Sequence, residues 1–310
     1  MLRRVTEQLH DDATGLDARP LSDAAAVLAD SQVAASQAVQ RAIDPICRSA
    51  MAMAETLRAN GKLYYVAAGS SGLMAAADAM ELGGTYGISP SNIRILMAGG
   101  LPTSAAMPGN TEDEIATLAA ALAELSTKDT IIAVSASGRT PYTLEAARIA
   151  QAARATVIGM ANNADGDLFA LSTHAIHLAT PPEPVSGSTR MGAGTAQKIA
   201  LNMMSTLMAI ELGHVHDGMM VNLRADNAKL RARAQGIVSR IANVADEAAA
   251  TALVAAEGDV KVATLVAAGA GSAVAARRLL SGTEGHLRGA LERLSNISNE
   301  KLTSKREEYK

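Results

Sequence analysis

With 310 residues, 48% of them hydrophobic, the chain is long enough for one large α/β domain and a smaller second unit. A net charge of −3 without a basic cluster, 2% aromatic residues and no Trp argue against a nucleic-acid partner and against aromatic platforms for bases or sugar faces. Cys47 is the single cysteine, which excludes an internal disulfide and disfavours a thiolate metal cluster.

Residues 1–20 are polar, lack the apolar stretch of a signal peptide, and read as a flexible N-terminal segment. No run reaches the roughly 18 apolar residues of a membrane span, so a soluble, cytoplasmic protein without membrane association is expected. Residues 21–60 are Ala-rich and predict two helices broken near Pro45, with Ser22 or Asp23 as the first cap. Strands are predicted near 62–68, 93–98, 130–135, 155–160 and 174–179. Helices are predicted near 72–82, 112–126 and 141–153, with a short one near 165–170. This alternation predicts an α/β fold, a doubly wound five-stranded parallel sheet flanked by helices, across 61–232. A long helix near 191–212 and another from about 225 follow. Glycine-punctuated segments over 233–298 predict a small C-terminal domain of three helices, and 299–310 reads as a flexible tail.

Three of the predicted strands run into small, hydroxyl-rich loops that open helices. They contain Gly69-Ser70-Ser71-Gly72, Ser135-Ala136-Ser137-Gly138-Arg139-Thr140 and Ser186-Gly187-Ser188-Thr189-Arg190. Backbone N–H groups and hydroxyls at a helix N-terminus favour a bound anion, usually phosphate. In a doubly wound sheet such loops lie at the carboxyl ends of the strands, where ligands bind. Candidate ligand residues are therefore Ser70, Ser71, Gly72, Ser135, Ser137, Gly138, Thr140, Ser186, Ser188, Thr189 and Arg190. Each loop alone also fits an ordinary strand-to-helix turn.

Two carboxylates have double readings. Glu81 falls in the last predicted turn before Gly83-Gly84, facing the negative end of the helix dipole. It is either a solvated glutamate or a proton-transfer group. Asp113 lies in Thr111-Glu112-Asp113-Glu114, a capping-box pattern whose local meaning is helix initiation. The histidines form no pattern with carboxylates or Cys47 that completes a metal set, and no metal is expected.

Motif order sharpens these readings. Ser135-Ala136-Ser137-Gly138-Arg139-Thr140-Pro141-Tyr142, then Ser186-Gly187-Ser188-Thr189-Arg190, Gly194-Thr195-Ala196-Gln197-Lys198 and Leu201-Asn202-Met203 resemble the signature of the N-acetylmuramic acid 6-phosphate etherases, members of the sugar isomerase (SIS) domain superfamily. The likeness continues through Asn227-Ala228-Lys229-Leu230-Arg231, Val260-Lys261-Val262-Ala263 and Gly285-His286-Leu287-Arg288, covering roughly residues 20–295. It implies a cytoplasmic homodimer that, without metal or cofactor, removes D-lactate from N-acetylmuramic acid 6-phosphate. The family's catalytic Asp-Ala-Ser-Glu stretch is matched by Asp78-Ala79-Met80-Glu81. Its Glu-Gly-Ala-Glu-Asp stretch is matched by Gly109-Asn110-Thr111-Glu112-Asp113, so the resemblance makes Glu81 and Asp113 the catalytic pair. Departures occur at Leu73, where the family has arginine, at Leu82-Gly83-Gly84 for Cys-Pro-Pro, and at Gly192, where lysine is common.

On this reading Asp113 is the base and Glu81 the acid, and the 135–140 and 69–72 loops hold the 6-phosphate. Nine residues of helix separate Gly72 from Glu81, a rise of about 13 Å. A sugar held at its own 69–72 loop brings C2 and C3 much nearer than that. Glu81 is therefore expected to act in the site of a partner subunit. Two alternatives use the same loops: an aldose–ketose isomerase of a hexose 6-phosphate, and a non-catalytic sugar-phosphate sensor that regulates a partner protein.

Overall fold

The computed structural model describes residues 4–107, 109, 111–223, 225 and 227–308. The chain divides into two compact units, one of residues 1–80 and 89–208, the other of 81–88 and 209–310. The boundary expected from sequence lay at 232.

The first unit contains, in chain order, α1 (Leu21–Gln40), α2 (Ile43–Arg58), β1 (Leu63–Ala67), most of α3 (Gly69–Tyr86), β2 (Ile93–Met97), α4 (Leu118–Ala121), β3 (Thr130–Ser135), α5 (Pro141–Ala152), β4 (Thr156–Ala161), β5 (His174–His177) and most of α6 (Gly192–Glu211). The five strands form one parallel sheet in the order β2-β1-β3-β4-β5. This is the α/β architecture predicted. β1 and β3 are buried along their whole length, which explains why they read as unbroken apolar runs rather than alternating ones. The register pairs Tyr64 with Ile131 and Ile131 with Val157, placing these side chains on one face. They pack there against Ala146, Ala147 and Ala150 of α5 and against Leu118 and Leu122. On the other face the Tyr65 hydroxyl donates to Asp78 of α3, and Thr56 of α2 meets Thr130 at 2.6 Å.

Local expectations fail in informative places. The helix near 112–126 shrinks to the four residues of α4. Thr111 caps no helix; its carbonyl accepts the Glu114 N–H in a tight turn. α1 starts at Leu21 without a side-chain cap, Ser22 bonding Asp23 instead. The break expected near Pro45 falls at residues 41–42, and Pro45 itself sits in the first turn of α2, where a missing N–H costs nothing. α3 passes straight through Gly83-Gly84 and stops at Gly87 (φ +67°), where a Cβ would lie 2.4 Å from the Asn222 carbonyl oxygen. The segment expected to be a loose leader carries two short 3-10 turns, and Thr6 within it is buried.

The second unit begins with the end of α3 and a two-stranded hairpin, β6 (Val215–His216) and β7 (Met219–Met220), turned by Asp217-Gly218 at positive φ. It continues with α7 (Ala228–Ala242), α8 (Asp246–Ala255), α9 (Val260–Leu265), α10 (Ala273–Ser281) and α11 (Leu287–Glu308). Beyond Gly258, where the glycine-punctuated segments suggest three helices, lie α9, α10 and α11, separated by Gly271 and Gly285 at positive φ. Their core includes Val221, Val238, Ala252, Val262, Leu265, Ala276 and Ala290. Among the described residues no single helix is long and apolar enough to cross a membrane.

Candidate active site

The chain leaves β1 toward β2 on one side and returns to β3 on the other, so the crevice at the carboxyl ends of β1 and β3 is the topological switch point. Two of the three predicted loops meet that description. After β3, the Ser135 hydroxyl lies 2.9 Å from that of Thr140 and 3.3 Å from that of Ser137. Ser135 also accepts the Gly138 N–H, and Ser137 accepts the Arg139 N–H. The result is a cluster of three hydroxyls at the entry to α5. Gly138 (φ +68°) makes it possible, since a Cβ there would lie 2.7 Å from the Cα of Gly166. Arg139 turns away from the cluster, bonding the Asp165 carbonyl and carboxylate, with Asp167 at 3.6 Å.

After β1, α3 opens at Gly69 (φ +54°), with Ser70 half-buried and Ser71 buried. Gly72 serves packing: a Cβ would meet Met97 at 2.8 Å, so the glycine lets the first turn of α3 close onto the end of β2. A neighbouring carboxylate shares this place. The Glu112 carbonyl accepts the N–H of Tyr142 at the start of α5. Its carboxylate lies 3.1 Å from where a Gly69 Cβ would be. Glu112 thus lies between the starts of α3 and α5, while Asp113 is the exposed next residue of the same turn.

The third loop differs from expectation. The α6 N-terminus already holds an anion, because the buried Glu183 carboxylate accepts the N–H groups of Gly192 and Ala193 at 2.9 Å each. Two backbone donors there are therefore taken by protein. Ser186 and Arg190 are exposed, and Ser188 and Thr189 are half-buried. Gly192 fits this cap, since a Cβ would come within 3.2 Å of a Glu183 oxygen.

Glu81 is exposed on α3 and belongs to the second unit. With the helix running on to Tyr86, it is more than a turn from the C-terminus, beyond the strong reach of the helix dipole. The same motif holds a second carboxylate that the sequence pattern did not mark. Asp78 is buried and accepts bonds from Tyr65 (2.9 Å), Asn202 (2.7 Å) and Ser205 (2.8 Å). Burial, then the charge and hydrogen bond of Asp78, push the Tyr65 phenol well above its ordinary pKa and keep it a donor. Among the described residues no group of three or more His, Cys, Asp and Glu side chains is placed to hold a metal ion.

Comparison with known proteins shows the family. The SIS domain family model matches residues 27–162. An N-acetylmuramic acid 6-phosphate etherase of Deinococcus radiodurans is 41% identical over 93% of this chain and 95% of its own. One of Streptomyces avermitilis is 38% identical over 92% and 93%. The chain belongs to the N-acetylmuramic acid 6-phosphate etherase family. Among solved structures, a phosphoheptose isomerase from Francisella tularensis aligns over 62% of this chain and 98% of its own, at 21% identity and a TM-score of 0.44. Within the etherase family frame, the hydroxyl cluster, the α3 entry and the Glu112–Asp113 turn all fall in the first unit, and Glu81 in the second.

Proposed function

We infer that this chain is itself an N-acetylmuramic acid 6-phosphate etherase, a carbon–oxygen lyase that releases D-lactate and leaves N-acetylglucosamine 6-phosphate. The observation that carries the reading is similarity along nine-tenths of the chain to relatives of that name, at 38% and 41% identity.

The chemistry follows from the substrate. In the open-chain sugar the C2 hydrogen is acidic because it lies α to the C1 aldehyde. A carboxylate removes it, the C–H electrons form a C2=C3 bond, and the C3–O bond breaks as the lactate oxygen takes up a proton. Water then adds at C3. Two carboxyl groups of different proton affinity serve these steps. Asp113 is assigned as base and Glu81 as acid. The Ser135, Ser137 and Thr140 hydroxyls, with Ser70 and Ser71 across the crevice, hold the 6-phosphate. Ser186, Ser188, Thr189 and Arg190 supply hydroxyls and one cation to the substrate's anionic groups. The protein works as a homodimer in which Glu81 serves the partner's site. The helix rise of about 13 Å between Gly72 and Glu81 supports this.

Turnover of N-acetylmuramic acid 6-phosphate in oxygen-18 water tests the reading. Label is expected on the C3 hydroxyl of the sugar product and not on lactate. Label on lactate, or sugar interconversion without lactate release, overturns it.

A further inference from the structure

We propose that Thr6 is a positioning residue for substrate binding, tying the Ser186–Arg190 loop to the end of β4 so that the N-terminal segment becomes a working part of the phosphosugar site. The proposal rests on the etherase reading for the role of that loop. Every polar group of Thr6 is engaged. Its N–H donates to Asn163 Oδ1 at 3.3 Å, and its hydroxyl accepts from Asn163 Nδ2 at 3.0 Å. Its carbonyl accepts the N–H of Gly187 at 3.2 Å. Asn163 is 1% exposed and follows β4 by two residues, so the rigid end of the clamp is the sheet itself.

The loop leans on this clamp. Ser186 and Gly187 are exposed, and among the described residues the hydrogen bonds that leave this tip go to residues 6 and 8, the second being Ser186 Oγ to the Gln8 carbonyl at 3.3 Å. The remaining bonds of the segment are short-range: Ser188 N to Val185, Thr189 N to Gly187, Met191 N to Ser188 and Gly194 N to Thr189. Those curl the loop but do not attach its tip to the sheet. Gly187 sits at φ +75°, a conformation that a free tip leaves readily. Without Thr6, the ligand-binding side chains of the loop must be ordered by the substrate. That ordering weakens ground state and transition state alike, because the loop contacts groups remote from C2 and C3.

The test compares wild type, Thr6→Val, Thr6→Ser and a deletion of residues 2–8. Read-outs are KM and kcat for N-acetylmuramic acid 6-phosphate, the Kd of N-acetylglucosamine 6-phosphate by calorimetry, and the thermal midpoint. Thr6→Val strands the buried Asn163 amide. It and the deletion are expected to raise KM and Kd about tenfold with kcat within about twofold, and Thr6→Ser to stay within about twofold of wild type. Unchanged KM and Kd in both Thr6→Val and the deletion overturn the proposal. So does a fall in kcat at constant KM, or failure of serine to rescue. A wild type that binds the sugar phosphate without releasing lactate removes the etherase reading and leaves the Kd comparison to decide the role of Thr6. A wild type that binds no sugar phosphate removes both.

Discussion

Gly138→Ala strikes the hydroxyl cluster through its backbone. The new methyl would lie 2.7 Å from the Gly166 Cα and 3.1 Å from the Ala161 Cβ, and neither neighbour is a flexible chain end. Holding alanine at φ +68° costs about 1–2 kcal/mol. Forcing apart the contact with the 166 turn costs roughly 1–3 kcal/mol more. For a cooperative unit of this size the sum, about 2–5 kcal/mol, lowers the melting temperature by roughly 5–15 °C. The site suffers separately. Gly138 donates its N–H to Ser135 and accepts from Leu168, so displacing it pulls Ser135 off Thr140. KM is expected to rise by at least about tenfold. Gly236→Ala is the matched control: it lies within α7 with nothing within 4 Å of a Cβ, and should raise stability by about 0.5–1 kcal/mol. Differential scanning fluorimetry and lactate release decide it. A Gly138→Ala protein that melts within about 2 °C of wild type and keeps its KM refutes the close-packing argument.

Glu183→Ala removes the acceptor of two N–H groups at the α6 N-terminus and should cost about 1–3 kcal/mol. Inorganic phosphate should then raise the melting temperature of the variant more than that of wild type, because an anion site has been vacated; equal shifts contradict the cap. His214 is held at a pKa of about 4, first by burial, then by the Lys261 cation, with His286 adding to the effect and a bond to the Tyr86 backbone opposing it. The unfolded chain takes up this proton near pH 6.5 and the folded one only near 4. Stability should therefore fall by about 3 kcal/mol as pH drops through that window, and His214→Gln should flatten the slope in urea titrations.

The sheet was legible because buried parallel strands are continuous apolar runs with sharp polar ends. All five lie within two residues of their predicted bounds at either end. What escaped reading depends on partners far along the chain. Gly83-Gly84 resembles a helix stop, yet α3 continues to the point where Asn222 approaches Gly87. The Asn222 side-chain amide also donates to the Tyr86 carbonyl at the end of α3. Thr111-Glu114 has the letters of a capping box, but Glu112 spends its carbonyl on α5 and the chain turns instead. Glu183 caps a helix nine residues away, a separation at which no local pattern signals capping. Asp217-Gly218 is different, since that dipeptide between Val215-His216 and Met219-Met220 is a visible hairpin signal that helix-based reading of the region passed over. At the site, residue types revealed the hydroxyl cluster. The position of Glu112 against Gly69 and the docking of residues 6–8 on the third loop required the fold.

The most direct measurement mixes two inactive proteins, Glu81→Ala and Ser137→Ala, after unfolding and refolding them together. If Glu81 of one subunit serves the phosphate loop of the other, each mixed dimer regains one intact site. Random pairing then restores about a quarter of wild-type lactate release. No activity above that of the parents contradicts the shared site, and full activity of either parent alone contradicts the catalytic assignment.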